Sequence, residues 1–168
     1  MRVRGLRGSL LEEIINRTLS DYRVKKLALI QKISTPIVPI AKDKSGHITK
    51  AYFDKKSTVD YIGVVQDIAV CFDAKECEND SFPIKNIHKH QIDFMKEWEE
   101  QGGISFLLIY FKKISKVYYM RNAELEKVLK TKIKSFNVSE LNEKYLIDVK
   151  NKIKLDILSK IQMDIDER

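Results

Sequence analysis

Two cysteines are all the thiol chemistry this chain offers, and they exclude a disulfide framework. Cys71 and Cys77 fall in one extended run, roughly 20 Å apart at about 3.4 Å per residue, too far to bridge. Neither has the company of a metal site, so both read as reduced thiols, Cys71 as core packing. No apolar run approaches the roughly 20 residues of a membrane span. The opening MRVRGLRGSL lacks the apolar centre of a signal peptide. These absences predict a cytoplasmic protein with no membrane contact. Glycine-rich phosphate loops, a Ser-His-Asp order and internal repeats are missing as well, which excludes the commonest nucleotide-binding and acyl-transfer sites. Of three histidines, His88 and His90 stand two apart on a predicted helix and so point in different directions, as surface or phosphate-contacting residues.

What is present is a 168-residue chain that is 43% hydrophobic, enough for one domain with a real core. Its net charge of +7 is unevenly spread. Residues 1–56 hold 13 Lys or Arg against 5 acids, whereas residues 57–168 hold 18 against 19. A basic front on a near-neutral body suits a polyanion, and nucleic acid is the leading candidate.

In chain order, residues 1–8 form a basic arm with Arg2, Arg4 and Arg7, suited to a phosphate backbone; a plain disordered terminus fits the same composition. Ser9 to Glu12 is a capping signature opening a helix to about Tyr22, with Glu12 and Glu13 as first-turn acids and Glu13 as a minor candidate for support near a metal. Leu27 to Ile30 reads as the first buried strand. Pro36 and Pro39 exclude a central strand, and residues 36–56 read as a two-stranded finger carrying Lys42, Lys44, Lys50, Lys55 and Lys56, or else as an ordinary basic loop. A helix is predicted from Asn86 to about Gln101, stopped by Gly102 and Gly103, with Gln91 on its apolar face beside Ile87, Phe94, Met95 and Trp98. Strands follow at 104–111 and 116–121, a short helix at 123–131, extended chain at 132–136, a helical turn at 139–144 and an amphipathic helix over 147–163.

Residues 57–76, STVDYIGVVQDIAVCFDAKE, are where the sequence proposes chemistry. Residues 58–65 and 68–76 read as strands joined at Gln66 and Asp67. If Val65 faces Ile68, Asp60 falls opposite Asp73 and Thr58 opposite Lys75, all on one face. Opposed carboxylates about 5 Å apart repel unless an opposite charge lies between them, and a hard divalent cation with oxygen ligands fits. Lys75 would then point an ammonium at an oxygen held by the metal, the equipment for phosphodiester hydrolysis. A solvated sheet face is the alternative. The apolar run 68–72 before the second acid argues against it.

The blocks RGSLLEEIIN (7–16), ALIQK (28–32), TP (35–36), AYF (51–53), STVDYIGV (57–64), FDAKE (72–76), SFPIKNIHKHQ (81–91) and GISFLLI (103–109) resemble the Holliday-junction resolvases of the RecU type. These belong to the PD-(D/E)xK nuclease superfamily. The resemblance implies an α/β fold with a restriction-endonuclease-like core, a mixed sheet flanked by helices, and a protruding stalk at 36–56. It further implies a homodimeric, magnesium-dependent endonuclease, manganese being a substitute, that makes paired nicks in four-way DNA junctions, with recombination proteins as further partners. Thr58, Asp60, Asp73 and Gln91 match the family's metal-binding positions and Lys75 its transition-state lysine; from its place on the apolar face alone, Gln91 reads either as a satisfied core glutamine or as an amide whose oxygen reaches the metal. Several departures stand out. Asp73 replaces the usual Glu, the loop before Phe82 is shorter, the finger is shorter with a less basic tip, and the end of the chain matches only faintly, around Lys134-Ser135 and Tyr145 to Lys154. A superfamily nuclease with another substrate, a non-catalytic DNA-binding relative and a purely protein-binding factor remain the alternatives.

Overall fold

A computed structural model describes residues 9–54, 58–149 and 154–168. The arm residues Arg2, Arg4 and Arg7, and Lys55 and Lys56 of the finger, lie outside the described residues. The centre is a six-stranded mixed sheet in the order β1 (Ala28–Lys32), β4 (Tyr61–Val65), β5 (Ile68–Cys77), β7 (Ile104–Phe111), β8 (Lys116–Arg121), β10 (Leu146–Asp148). Only β5 and β7 run parallel, which requires a crossover, and α2 (Lys89–Glu100) makes it. β2 (Ile37–Lys42) and β3 (Ile48–Phe53) pair only with each other, and β6 (Ser81–Pro83) pairs with β9 (Ser135–Asn137).

Side-chain alternation along β5 divides the core into two halves. Phe72 faces one way and Asp73 the other. On the Phe72 side Tyr61, Phe72, Phe106, Tyr119 and Tyr145 stack across neighbouring elements with ring centroids 4.7, 4.8, 4.2 and 5.8 Å apart. α1 (Leu10–Val24) and α4 (Ile157–Asp166) cover this side: Tyr61 Oη donates to Asn16 Oδ1 at 3.3 Å and Tyr119 Oη to Asp164 Oδ2 at 3.1 Å. α1 and the segment entering α4 are tied directly, because Leu155 N donates to Thr18 Oγ1 and Tyr22 Oη to the Leu155 carbonyl, both at 2.9 Å. On the Asp73 side α2 packs over β5 and β7, with Ser105 Oγ donating to the Met95 carbonyl at 3.1 Å, and Tyr118 Oη meets Glu124 of α3 (Asn122–Lys130) at 2.8 Å. The result is a helix-flanked mixed sheet, as the sequence leads one to expect.

Several boundaries differ from the sequence expectation. β1 is an edge strand, not a buried one: Leu29 is 61% exposed while Ala28 and Ile30 are buried. α2 starts three residues later than Asn86, because Ile84–Asn86 is a short 3-10 turn and His88, at φ −82° and ψ 144°, caps the helix. The helical turn at 139–144 is two 3-10 turns, Val138–Glu140 and Glu143–Tyr145. The largest correction is at 147–163. Leu146–Asp148 adds a sixth strand beside β8, and the helix begins only at Ile157, where Asp156 Oδ1 accepts from Ser159 N. Val149, Ile157 and Ile161 are all buried, but Val149 follows β10 while Ile157 and Ile161 belong to α4.

The close approach of β1 to β4 depends on Gly63. A methyl group there would sit 2.1 Å from the Leu29 carbonyl oxygen and 2.5 Å from Ile30 Cα, both backbone atoms. Gly63→Ala must push β1 away, and it should lower stability by about 1–3 kcal/mol in urea unfolding, as overpacking does. An unchanged midpoint would mean that the edge strand yields freely.

Candidate active site

β4 and β5 join at Gln66 and Asp67, with Gln66 at φ 53°, and the ladder runs Val65 to Ile68 through Tyr61 to Phe72. This is the register expected from the sequence. β4 begins at Tyr61 instead of Thr58, so Asp60 sits one residue beyond the last ladder pair. There its Oδ2 accepts from Ala74 N at 3.0 Å, which turns the carboxylate in towards β5. Thr58 is exposed in a bend outside the ladder, so strand pairing does not place it opposite Lys75.

Asp73 is completely buried. Its Oδ1 accepts from Gln91 Nε2 at 2.8 Å, and its Oδ2 lies 2.5 Å from Lys75 Nζ, an ion contact without the direction of a hydrogen bond. Burial pushes the Asp73 carboxyl up, to about 7, and the nearby Asp60 charge pushes the same way, while Lys75 pulls against both. Tyr61 beside them is raised as well, chiefly by burial and then by the charges of Glu12, Asp60 and Asp73. Thus the structure brings Asp60, Asp73, Lys75 and Gln91 together.

Gln91 is buried at the start of α2, and its Oε1 accepts from His88 N at 3.2 Å. The nitrogen of its amide, not the oxygen, faces Asp73. His88 and His90 do not diverge as helix spacing suggests. His88 lies outside the helix, and the rings stack 5.5 Å apart at 9°. Glu13 is exposed on α1, and Glu12 pairs with Lys32 at 2.8 Å. A tie that the sequence reading missed is Glu76, next to Lys75 but on the opposite face: it accepts from Leu11 N at 3.1 Å and pairs with Lys112 at 2.8 Å, anchoring the start of α1 to the strand that carries Asp73. The acid-rich FDAKE block is its only sequence signal.

Among the described residues no group of three or more His, Cys, Asp or Glu could hold a metal. The chemistry of the donor set nevertheless suits a hard cation. Two carboxylates converge against their own repulsion, and Asp73 Oδ2 is a buried oxygen with no hydrogen-bond partner. Cys71 lies on the same strand, and burial raises its thiol to about 12, so it is inert packing. The described finger lysines Lys42, Lys44 and Lys50 are exposed. No helix among the described residues is long and apolar enough to cross a membrane.

The profile of the family described as "Recombination protein U" matches residues 6–163. The chain belongs to the RecU family. The Holliday junction resolvase RecU of Pediococcus pentosaceus is 42% identical over 126 residues, covering 72% of this chain and 63% of that protein. The RecU of Oenococcus oeni is 41% identical over 129 residues, covering 74% and 66%. The matched region thus spans somewhat under two thirds of the Pediococcus relative. Among solved structures, Hjc of Archaeoglobus fulgidus, titled a Holliday junction resolvase, covers 64% of this chain and 72% of its own at TM-score 0.38 and 7% identity.

The raised Asp73 pKa has a definite sign for stability. Below about pH 4 the group is protonated folded and unfolded alike. As pH rises towards about 7 the unfolded chain ionises first, so the metal-free fold loses stability over that window. Asp73→Asn, which keeps an oxygen to accept from Gln91, should therefore gain stability over wild type progressively from about pH 4 to about pH 7 in chelator and level off above that. Parallel stability curves across that range would contradict the burial and repulsion described.

Proposed function

We propose that this RecU-family chain is a divalent-cation-dependent endonuclease that resolves four-way DNA junctions by paired nicks, working as a homodimer. The carrying observation is the convergence of Asp60, buried Asp73 and Lys75 where β4 meets β5. Asp60 and Asp73 would hold magnesium, with manganese as a substitute and the Thr58 hydroxyl within the same bend as a further donor. A cation there supplies charge neutralisation and Lewis-acid polarisation at a phosphodiester.

The protein's own groups do the rest. The Ala74 amide and the Gln91 amide nitrogen fix the two carboxylates, so no reorganisation is needed when substrate arrives. Burial of Asp73 keeps water from screening the site. Lys75 Nζ, beside Asp73 Oδ2, is poised to donate to a phosphate oxygen as negative charge builds there. Hydrolysis adds water oxygen to phosphorus and breaks one P–O bond, leaving one 5′ and one 3′ end per nick.

Paired cuts need two sites related by a two-fold axis, and each chain carries one constellation. The finger supports such an assembly. Ile37, Ile40, Ile48, Tyr52 and Phe53 are all exposed on a ribbon that, among the described residues, pairs with no other strand, and a lone two-stranded hairpin of that kind is marginal in water. A second copy would cover it. Lys42, Lys44 and Lys50 on the same ribbon suit phosphates that converge at a junction centre.

Labelled four-way junction and duplex, each with and without magnesium, test reaction, substrate and cofactor together. Wild type should cut the junction only with the cation. Asp60→Asn should not cut yet should still bind the junction, and Lys75→Ala should be slower by about two to three orders of magnitude, the usual loss for one transition-state donor. Full activity in Asp60→Asn would sink the assignment.

Trimming 42–48 to a short turn should weaken junction binding more than duplex binding. An equal loss on both, with the salt slope reduced by about one unit per phosphate contact removed, would make the finger a plain basic loop.

A further inference from the structure

The first turn of α1 is tied to the sheet at two points. Leu11 N, one of the helix-start donors that no carbonyl of the helix can satisfy, donates to Glu76 Oε1 at 3.1 Å. The carboxylate thereby sits against the positive end of α1. Glu12 pairs with Lys32, the last residue of β1, at 2.8 Å. Glu76 is held in turn from a third element. Its Oε2 lies 2.8 Å from Lys112 Nζ, in the 3-10 turn Lys112–Ile114 that follows β7, and the same ammonium reaches Glu78 Oε1 at 2.6 Å.

These ties fall at the end of the sheet that carries the candidate site. Glu76 is one residue beyond Lys75 and three beyond Asp73, with its side chain on the opposite face. The finger begins after Lys32, where Ile33 N donates to the Asp60 carbonyl at 2.8 Å. The basic residues Arg2, Arg4 and Arg7 precede Ser9, which caps α1 by accepting from Glu12 N at 3.2 Å. Arm, finger and the three site residues therefore all take root at one end of the sheet. An acid in such a place repels phosphates, and here the charge is answered by Lys112 and by the helix start.

Building on the junction-cleaving function proposed above, we propose that Glu76 is a positioning residue that fixes where the basic arm leaves the fold, so that a DNA strand gripped by Arg2, Arg4 and Arg7 is brought to the end of β5 that holds Asp73 and Lys75. Only three residues separate Arg7 from Leu11, so the anchor sets the reach of the arm. Without it the root of the arm gains slack, and the effective concentration of the gripped strand at the site falls. Glu76 touches neither cation nor phosphate in this role.

The test is a cycle on the full-length protein: Glu76→Ala in the wild-type arm, and in an arm carrying Arg2→Ala, Arg4→Ala and Arg7→Ala together. Junction cleavage with magnesium gives kcat and KM, calorimetry without DNA gives manganese affinity, and junction affinity is measured in chelator. With the arm intact, Glu76→Ala should raise KM and weaken junction binding by about 3- to 10-fold, the scale of a lost tether, while kcat and manganese affinity hold. In the arm-substituted background Glu76→Ala should have no further effect, since both changes remove the same contribution. Glu76→Gln keeps an oxygen for Leu11 N and should lose less than Glu76→Ala. A general structural role predicts equal losses in both backgrounds, and that outcome overturns the proposal. So does a fall in kcat at unchanged KM, or an arm whose three arginines can be removed without effect on junction affinity. If wild type cut no junction with either cation, the proposed function would fail, and the affinity cycle in chelator would still decide the role of Glu76.

Discussion

An ionisable carboxylate with no exposure to water, set against a second carboxylate, cannot persist unless its surroundings answer for it. Asp73 is in that position, and much of the architecture follows from it. The parallel pairing of β5 with β7 demands a crossover, and the crossover helix α2 delivers Gln91 to one oxygen of the carboxylate. The antiparallel pairing of β4 with β5 delivers Asp60 to its side, and strand alternation delivers Lys75 two residues on. On the reverse face the aromatic stack from Tyr61 to Tyr145 supplies rigid packing under the strand, so the charged face is held on a firm base.

Much of this site is legible in the sequence because period and turn length are enough to pair Asp60 with Asp73. A two-residue connection leaves one register, and Val65 opposite Ile68 carries through to Tyr61 opposite Phe72. What pairing arithmetic cannot see is where the ladder ends. Thr58 belongs to a bend outside the β4 ladder, which begins only at Tyr61. The orientation of Gln91 escaped for a similar reason. Its link to His88 is the N-cap to N3 arrangement of a capping box, visible only once α2 is started at Lys89 instead of Asn86.

The C-terminal part was harder. Apolar residues four apart at Val149, Ile153, Ile157 and Ile161 fit a single helix, but Val149 follows β10, Ile153 lies outside the described residues, and only Ile157 and Ile161 belong to α4. Local periodicity cannot register that β8 has a free edge for Leu146–Asp148 to join, because that is a fact about a distant strand. Asp156, the cap that starts α4, is the signal that separates them. In the finger the opposite holds. Its prolines, turn residues and lysines are local features, and Ile37–Lys42 and Ile48–Phe53 form where the sequence places them.

The proposed hydrolysis depends on the opposed carboxylates being a cation site and not merely a strained pair. Crystals grown with manganese and measured near its absorption edge locate that ion without reference to activity. An anomalous peak is expected within about 2.2 Å of Asp73 Oδ2 and of an Asp60 oxygen, the contact distance for a hard divalent cation of this size. A peak elsewhere on the molecule, or none between Asp60 and Asp73 at saturating manganese, would contradict it.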